Sequence, residues 1–485
     1  MPSYALVTFG CQMNQHDSER IGEVLRGAGY DEVERPDQAD LVLLNTCSVR
    51  EKAEQKLRSE VGRLGMLKQQ KKDLLIAVAG CVAQQEGEKL IKRLPQIDLV
   101  LGPDNIPELP TLLAELELGG PSLVRTVFDV DEPRFLSARA EPGRTASTAY
   151  VTVMKGCDER CTYCVVPYTR GPERYRPARE ILDEVERLVQ AGVREVTLLG
   201  QTVNSYRDPS GSLSAAPVAA GYQEPGRPAW ASDSEFPALL RLLSGVAGLL
   251  RLRYTSPHPR HLTGALIRAH QELPVLARHV HMPFQSGSDR LLKRMLRRYT
   301  AAEYVERVDA LRKAVQGLTL SSDVIVGFPG ETRDDFERTL ELVERVRFTG
   351  VYGFMYSERP HTPARNLADD VPEIEKRARL EELFELADGH RRAHLETLVG
   401  GAERVLAEQP GARGGFSGRT ERNEIVHFSC AGDPIGQIVP VQITRAFKNS
   451  LEGAADPNWI ARAGREPLPR AASAPRRALP VLTGP

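Results

Sequence analysis

The chain is 485 residues long, 41% hydrophobic and 27% charged. These are ordinary globular proportions, which exclude a fibrous or wholly disordered chain, and at about 150 residues per domain the length implies roughly three domains. Its 64 basic and 65 acidic residues leave a net charge of −1, so no global basic field marks a nucleic-acid partner and local patches must carry any such claim. No run approaches the roughly 18 apolar residues of a membrane span. The start has no basic segment followed by an apolar one, as a secretory leader would. A cytoplasmic protein without membrane contact is expected. Seven cysteines, an odd number in such a chain, fit a disulfide framework poorly and point to metal or redox chemistry.

Residues 4–8 alternate as a strand does and end at Phe9-Gly10-Cys11. Residues 41–44 run into Asn45-Thr46-Cys47 and 74–79 into Gly80-Cys81, with helical periodicity between them at 18–27 and 51–67. This is the rhythm of an open parallel α/β domain, placed at residues 1–122. Ligands in such sheets gather beyond the carboxyl ends of the strands, which brings Cys11, Cys47 and Cys81 together although they are distant in sequence. One such cysteine alone reads as a small buried hydrophobe; three after successive strands read as ligands. Sequence rich in Pro, Gly and Ala marks a linker at 123–142.

Beyond it lie a strand at 150–154, a loop at 156–170, an amphipathic helix at 180–190 and a strand at 193–199. Strand-like runs at 250–255, 279–283, 318–326 and 351–356 alternate with further helical patterns, which predicts a partial, TIM-like β/α barrel over residues 143–398. Residues 208–235 interrupt this rhythm and read as a surface insertion. After a helical stretch at 372–398, short alternating runs at 404–408, 425–428 and 437–444 between Gly-rich turns predict a small β-barrel at 399–452. The tail, 453–485, is rich in Pro, Ala and Arg and is expected to be disordered.

The strongest chemical signal is Cys157-Asp158-Glu159-Arg160-Cys161-Thr162-Tyr163-Cys164, a CxxxCxxC loop following the first barrel strand. Three thiolates on one tight loop suit three irons of a cubane cluster with the fourth iron left open for a small chelate. Structural zinc would want a fourth Cys or His, which must then arrive from elsewhere in the fold. Cys430, alone in the small barrel, reads as structural. The stretch 289–313 carries 8 Lys or Arg against 4 acids; it suits a solvated helix face better than a phosphate contact. Asp323 and Glu331, flanking Gly327-Phe328-Pro329-Gly330, suit strand-end hydrogen bonding.

The cysteine loop resembles the radical S-adenosylmethionine superfamily. Together with TFGCQMN (8–14), NTCSVREK (45–52), GCDERCTYCVVPYTRG (156–171), GQTVNSY (200–206), MPFQSGS (282–288), DVIVGFPGE (323–331) and YSERPHTPA (356–364), it resembles the methylthiotransferases. GRTERNEIVHF (418–428) resembles their TRAM domain. Cys11-Gln12-Met13-Asn14 and Asn45-Thr46-Cys47-Ser48-Val49-Arg50 resemble the MiaB-type branch that acts on tRNA. The resemblance, covering about residues 3–452, implies two 4Fe-4S clusters, one held by Cys157, Cys161 and Cys164 and an auxiliary one held by Cys11, Cys47 and Cys81.

It further implies S-adenosylmethionine as both radical source and methyl donor, with methylthiolation at C2 of N6-isopentenyladenosine beside the anticodon of tRNA. Alternative substrates are threonylcarbamoyladenosine in tRNA or a ribosomal-protein aspartate. A non-enzymatic alternative, an electron carrier or RNA-binding module, sits poorly with trios that leave an iron open. By the same resemblance Tyr163 packs on the adenine, Gly200 and Gln201 border the methionine end, and Arg419 and Arg422 contact RNA. The first three have plainer readings, as a loop aromatic, a turn glycine and a solvated amide. An electron donor such as flavodoxin or ferredoxin, an anticodon loop as RNA partner and a monomeric state complete the expectation. Ser256-Pro257-His258-Pro259 departs from the branch's Ser-His-Pro and Gln201-Thr202 from its commoner Gln-Asn, so no role is assigned to Ser256 or His258.

Overall fold

The structure is a computed structural model that describes residues 1–48, 51–138, 146–213, 234–411 and 414–459, with the side chains of 51 and 52 left aside. The first domain is a six-stranded sheet of β1 (Ser3–Phe9), β2 (Asp31–Glu32), β3 (Leu41–Thr46), β4 (Leu75–Gly80), β5 (Leu99–Leu101) and β6 (Leu123–Arg125), in the order β2-β1-β3-β4-β5-β6. All neighbours are parallel. Every residue of β3 is buried, as expected when helices cover both faces. Val42, Leu44, Ile76 and Val78 fill one core while Tyr4, Leu41, Leu43 and Ala77 fill the other, the period-2 alternation of a strand.

Three of these strands were not foreseen, β2 at two residues being the shortest. β5 and β6 are three residues each, too short to show a period, and β6 occupies the beginning of the stretch expected to be linker.

The second domain sets β7 (Thr148–Thr152), β10 (Glu195–Leu199) and β11 (Arg251–Tyr254) in parallel, and likewise β12 (His279–His281), β13 (Thr319–Val326) and β14 (Gly350–Met355). A parallel bridge between Leu252 and Leu276 carries the first trio of strands over to the second. The result is the partial β/α barrel expected. A two-stranded ribbon, β8 (Met154–Lys155) with β9 (Arg174–Tyr175), closes the base of the cysteine loop. The helix Ala178–Gln190 turns Ile181, Leu182, Val185, Leu188 and Val189 inward. At about 1.5–3 kcal/mol per fully buried aliphatic side chain, this face fixes the helix to the barrel.

The presumed insertion starts later than its composition suggested. Asp208 is buried, and its carboxylate accepts from the Ala178 N–H at 3.1 Å and from the Ser210 and Ser212 hydroxyls. It thereby serves the start of a helix whose N-cap is Pro177 and which has no side chain of its own there to do so. Glu235 accepts from the Asp208 N–H at 2.6 Å, so the two ends of the insertion are pinned together. Residues 214–233 within it, and 460–485 of the tail, lie outside the described residues.

The third domain is a closed barrel of β15 (Ala402–Pro410), β16 (Phe416–Thr420), β17 (Ile425–Ser429), β18 (Ile438–Ala446) and β19 (Leu451–Ala455). β19 extends past the boundary expected from composition. The barrel docks at the amino-terminal ends of the β/α strands. Arg251 and Arg253 donate to the Arg419 and Thr420 carbonyls at 3.0 and 2.7 Å, and the Thr319 hydroxyl donates to the Arg422 carbonyl at 2.9 Å. Among the described residues no helix is long and apolar enough to cross a membrane.

Candidate functional site

The registers Phe9↔Thr46 and Thr46↔Gly80 place the ends of β1, β3 and β4 side by side, so the cysteines that follow them converge. Cys11 is the N-cap of the helix Gln12–Gly27, Cys47 follows β3 directly and donates its N–H to the Phe9 carbonyl at 3.0 Å, and Cys81 opens the helix Cys81–Glu86. A hydrogen bond with Cys47 pulls the Cys11 thiol down to about 6, against the upward push of burial. Cys81, more deeply enclosed, is pushed up by burial. The backbone behind them is held by Asn45, whose Nδ2 donates to the Asn14 carbonyl at 2.8 Å and to Ser18 Oγ at 2.9 Å. Gly80, at φ +94° and ψ −160°, occupies a region essentially reserved for glycine.

The second trio sits on the loop after β7. The Cys157 N–H donates to the Gly171 carbonyl, Thr162 N–H to the Met295 carbonyl and Cys164 N–H to the Cys161 carbonyl, each at 3.1 Å. Burial pushes the Cys157 thiol up and the Cys164 thiol to about 12. Thr202, half of the Gln201-Thr202 departure, lies with its hydroxyl 2.9 Å from Cys157 Sγ. All seven cysteines are free. Among the described residues Cys430 donates to the Ala431 carbonyl at 3.3 Å and packs at the edge of the small barrel's core, a structural position.

Two arginines that the sequence reading passed over complete the picture. Arg170 Nε–H donates to Cys81 Sγ at 3.3 Å and its Nη2 to Asp17 at 2.6 Å. Arg297 Nη1 donates to Cys161 Sγ at 3.5 Å, with further bonds to Tyr299 Oη and the Pro283 carbonyl. Arg297 lies in the basic stretch read as a solvated helix face. It is instead 5% exposed, and among the described residues no carboxylate comes within ion-pairing distance of it. A buried guanidinium without a carboxylate is costly and fits a thiolate-ligated, anionic group beside Cys161. No periodicity or composition signal marks one arginine of such a run as buried.

Gln201 gives a second fit. Both its amide nitrogen and oxygen are buried without a hydrogen-bond partner among the described residues, beside Thr202 at the carboxyl end of β10, which suits a polar ligand. Gly200, by contrast, is packed against Met154, whose Cγ would lie 2.5 Å from an added Cβ; its small size serves that packing. Tyr163 packs on the cluster of Leu291, Met295, Phe328 and Tyr356 while remaining partly exposed.

His258, given no role from the sequence, is buried and clamped by Asn204, which accepts from its N–H at 2.7 Å and donates to its carbonyl at 2.9 Å. Its ligand atoms lie within 4.8 Å of those of Glu159 and His261. A cation is nonetheless disfavoured there. His258 Nδ1 accepts from the Arg260 N–H, which leaves the proton on Nε2, and Arg260 Nη1 stands 3.4 Å from Glu159. Burial and the nearby Arg297 hold the His258 imidazole well below its usual range, so it is a neutral donor with no acceptor among the described residues.

The two RNA candidates are not brought to this site. Arg422 is bound to Glu403 at 2.6 Å and Glu424 at 3.2 Å, so its charge is shared with two carboxylates of the small barrel. Arg419 stands 3.6 Å from Glu408 with part of its side chain in solvent. Both lie at the opposite end of the barrel strands from the cysteines. Glu331 accepts from the Gly327 N–H at 2.6 Å and from Arg379, the strand-end role expected of it.

Three family models match in the order of the three domains: uncharacterized protein family UPF0004 at residues 3–102, the radical SAM superfamily at 151–343 and the TRAM domain at 396–455. The solved structure of the radical S-adenosylmethionine methyltransferase TsrM from Kitasatospora setae, with cobalamin and a 4Fe-4S cluster bound, shares the fold at TM-score 0.50 and 15% identity. That likeness covers 75% of this chain and 77% of that one. The molecule is thus a radical SAM enzyme, a class that works with S-adenosylmethionine and an iron–sulfur cluster. A tRNA-2-methylthio-N(6)-dimethylallyladenosine synthase of Sorangium cellulosum (strain So ce56) is 59% identical, covering 99% of both chains. That of Bordetella petrii is 44% identical over 94% of this chain and 92% of its own. The chain belongs to the family of these synthases, the tRNA branch of the methylthiotransferases.

Proposed function

We propose that the chain inserts a methylthio group at C2 of N6-isopentenyladenosine in tRNA. The observation that carries this reading is the full-length 59% identity to a synthase of that product, joined to two convergent cysteine trios in one chain. Cys157, Cys161 and Cys164 hold one 4Fe-4S cluster, and Cys11, Cys47 and Cys81 hold a second. When bound, the first cluster would offer the electron for cleavage of S-adenosylmethionine and the second would offer sulfur.

Around these groups the chain's own residues orient and enclose. Thr202 and Arg297 donate to thiolates of the first trio and Arg170 to one of the second. The Gln201 amide binds the amino-acid end of S-adenosylmethionine, and Tyr163 borders its adenine. A base in an anticodon loop can leave its stack to reach this mouth.

Nucleosides digested from tRNA of a strain lacking the protein are expected to lack 2-methylthio-N6-isopentenyladenosine and to accumulate its unthiolated precursor. Persistence of that nucleoside, with loss of the methylthio group from threonylcarbamoyladenosine or a ribosomal aspartate instead, refutes the substrate. In vitro, replacing Cys157, Cys161 and Cys164 by Ala is expected to abolish 5'-deoxyadenosine formation. Replacing Cys11, Cys47 and Cys81 is expected to leave uncoupled cleavage but no thiolated product.

A further inference from the structure

We propose that Arg170 is a positioning residue that ties the second cysteine trio to the loop carrying the first, and that its guanidinium sets the charge felt by the group bound at Cys11, Cys47 and Cys81. The inference rests on the reading above that this trio holds an iron–sulfur cluster.

Arg170 comes shortly after Cys164, at the end of the turn Val166–Thr169, and its side chain crosses into the first domain. There Nε–H donates to Cys81 Sγ at 3.3 Å and Nη2 to Asp17 at 2.6 Å. Asp17 lies on the helix that Cys11 begins. One guanidinium from the radical SAM domain thus holds the cysteine that follows β4 and a carboxylate of the helix headed by another ligand of the same trio. The side chain is 5% exposed, so the charge has left water and must be balanced by partners. Asp17 provides that balance, and the N–H donated to Cys81 sits beside it on the trio.

The segment that bears Arg170 is itself fixed. Its carbonyl accepts from Arg174 Nη2, and Arg174 is paired with Asp104 of the first domain at 2.6 Å. The contact to Cys81 is therefore set by the domain interface rather than by a mobile surface arginine.

A positive charge and an N–H donated to sulfur both favour the more negative, reduced state of a thiolate-bound cluster, and so raise its reduction potential. Removing them should lower it.

The test uses the full-length protein, reconstituted anaerobically, as wild type, R170M, R170K, D17N and the Cys11, Cys47, Cys81→Ala variant. Iron and sulfide per chain are measured, and each cluster's midpoint potential is followed by EPR-monitored titration. R170M is expected to shift the second cluster's potential to more negative values, or to reduce iron toward the content of the triple-cysteine variant. R170K, which keeps the charge but not the two-pronged contact, should shift the potential less, and it carries the test if R170M does not fold. D17N severs the ion pair between domains while leaving the N–H···S contact, and because it unmasks the guanidinium it should leave the potential at or above that of wild type, never below it. An unchanged potential and full iron in both Arg170 variants overturns the proposal. So does an equal shift in D17N and R170M, which would make Arg170 only a strut between domains. If the triple-cysteine variant keeps all of its iron, it is the two-cluster reading that has failed.

Discussion

Replacing Gly80 by Ala should damage the second cysteine trio without touching a ligand. An added Cβ would lie 2.3 Å from Asn45 Oδ1 and 2.6 Å from the Thr46 carbonyl oxygen. Neither can retreat. The Thr46 oxygen is backbone, and the Asn45 amide is fixed by Asn14 and Ser18. The backbone conformation, φ +94° and ψ −160°, costs a non-glycine residue about 1–3 kcal/mol, and overpacking adds a further ~1–3 kcal/mol. The sum is a large share of the roughly 5–15 kcal/mol that separates a folded domain from its unfolded chain. Hydrogen exchange read on the amides of β3 and β4 reports the loss locally, which suits a chain of three domains, and iron content reports its effect on the trio. Gly62 is the control, because an added Cβ there meets nothing within 4 Å on an exposed stretch of the helix Glu51–Gln70. G62A should gain up to about 1 kcal/mol. If G80A keeps wild-type protection and full iron, steric necessity is not why a glycine precedes Cys81.

Other variants probe separate parts of the molecule. Q201A should weaken S-adenosylmethionine binding about ten- to a hundredfold by equilibrium dialysis, since an amide with both ends unpartnered in the free protein has about 1–3 kcal/mol of bonding to offer a ligand. Deleting residues 214–233 and joining 213 to 234 through a short Gly-Ser linker, which spares Asp208 and Glu235, should leave iron content and turnover near wild type, because loop length changes closure entropy by only about 0.6 kcal/mol per doubling. His270 is pushed down to about 4 by burial, so between its ordinary value near 6.5 and about 4 the unfolded chain binds a proton that the fold refuses. Stability therefore falls as pH drops through that window, by up to about 3 kcal/mol, and H270N should flatten this acid limb in denaturant titrations.

Much of this architecture was legible because its signals are local or periodic. Three cysteines after three strands announced their own convergence, since parallel order fixes where strand ends lie. The CxxxCxxC loop needed no tertiary information at all. What stayed hidden depends on contacts between distant segments. Arg297 looked like any arginine of a basic run until the loop at Cys161 folded over it, and Arg170 acquires meaning only when the first domain brings Cys81 and Asp17 to it. Arg422 is a mixed case: its pairing with Glu424 two residues on is local, whereas its pairing with Glu403 on β15 needs the barrel to close. Gly200 shows the same limit, because the neighbour that demands its small size, Met154, comes from another strand.

The two arginines also bear on how the fold and its iron depend on each other. Without a bound group, Arg297 is a buried cation beside Cys161 and close to the Cys164 thiol, which burial pushes up to about 12. Ligation deprotonates the thiols and places negative charge beside it, so loading should release protons and relieve a desolvated charge together. Binding to the folded state alone then adds stability by mass action. The asymmetry between the trios gives this a direction. Arg170 has Asp17 as a standing partner, whereas Arg297 has no carboxylate among the described residues. Stripping iron by chelation should therefore loosen the loop at 157–164 more than the first domain, seen as faster proteolysis and hydrogen exchange there than at β1, β3 and β4. R297M should narrow that gap, since it removes the cation whose isolation drives it. Equal loosening of both regions, or no effect of R297M, would refute the electrostatic account.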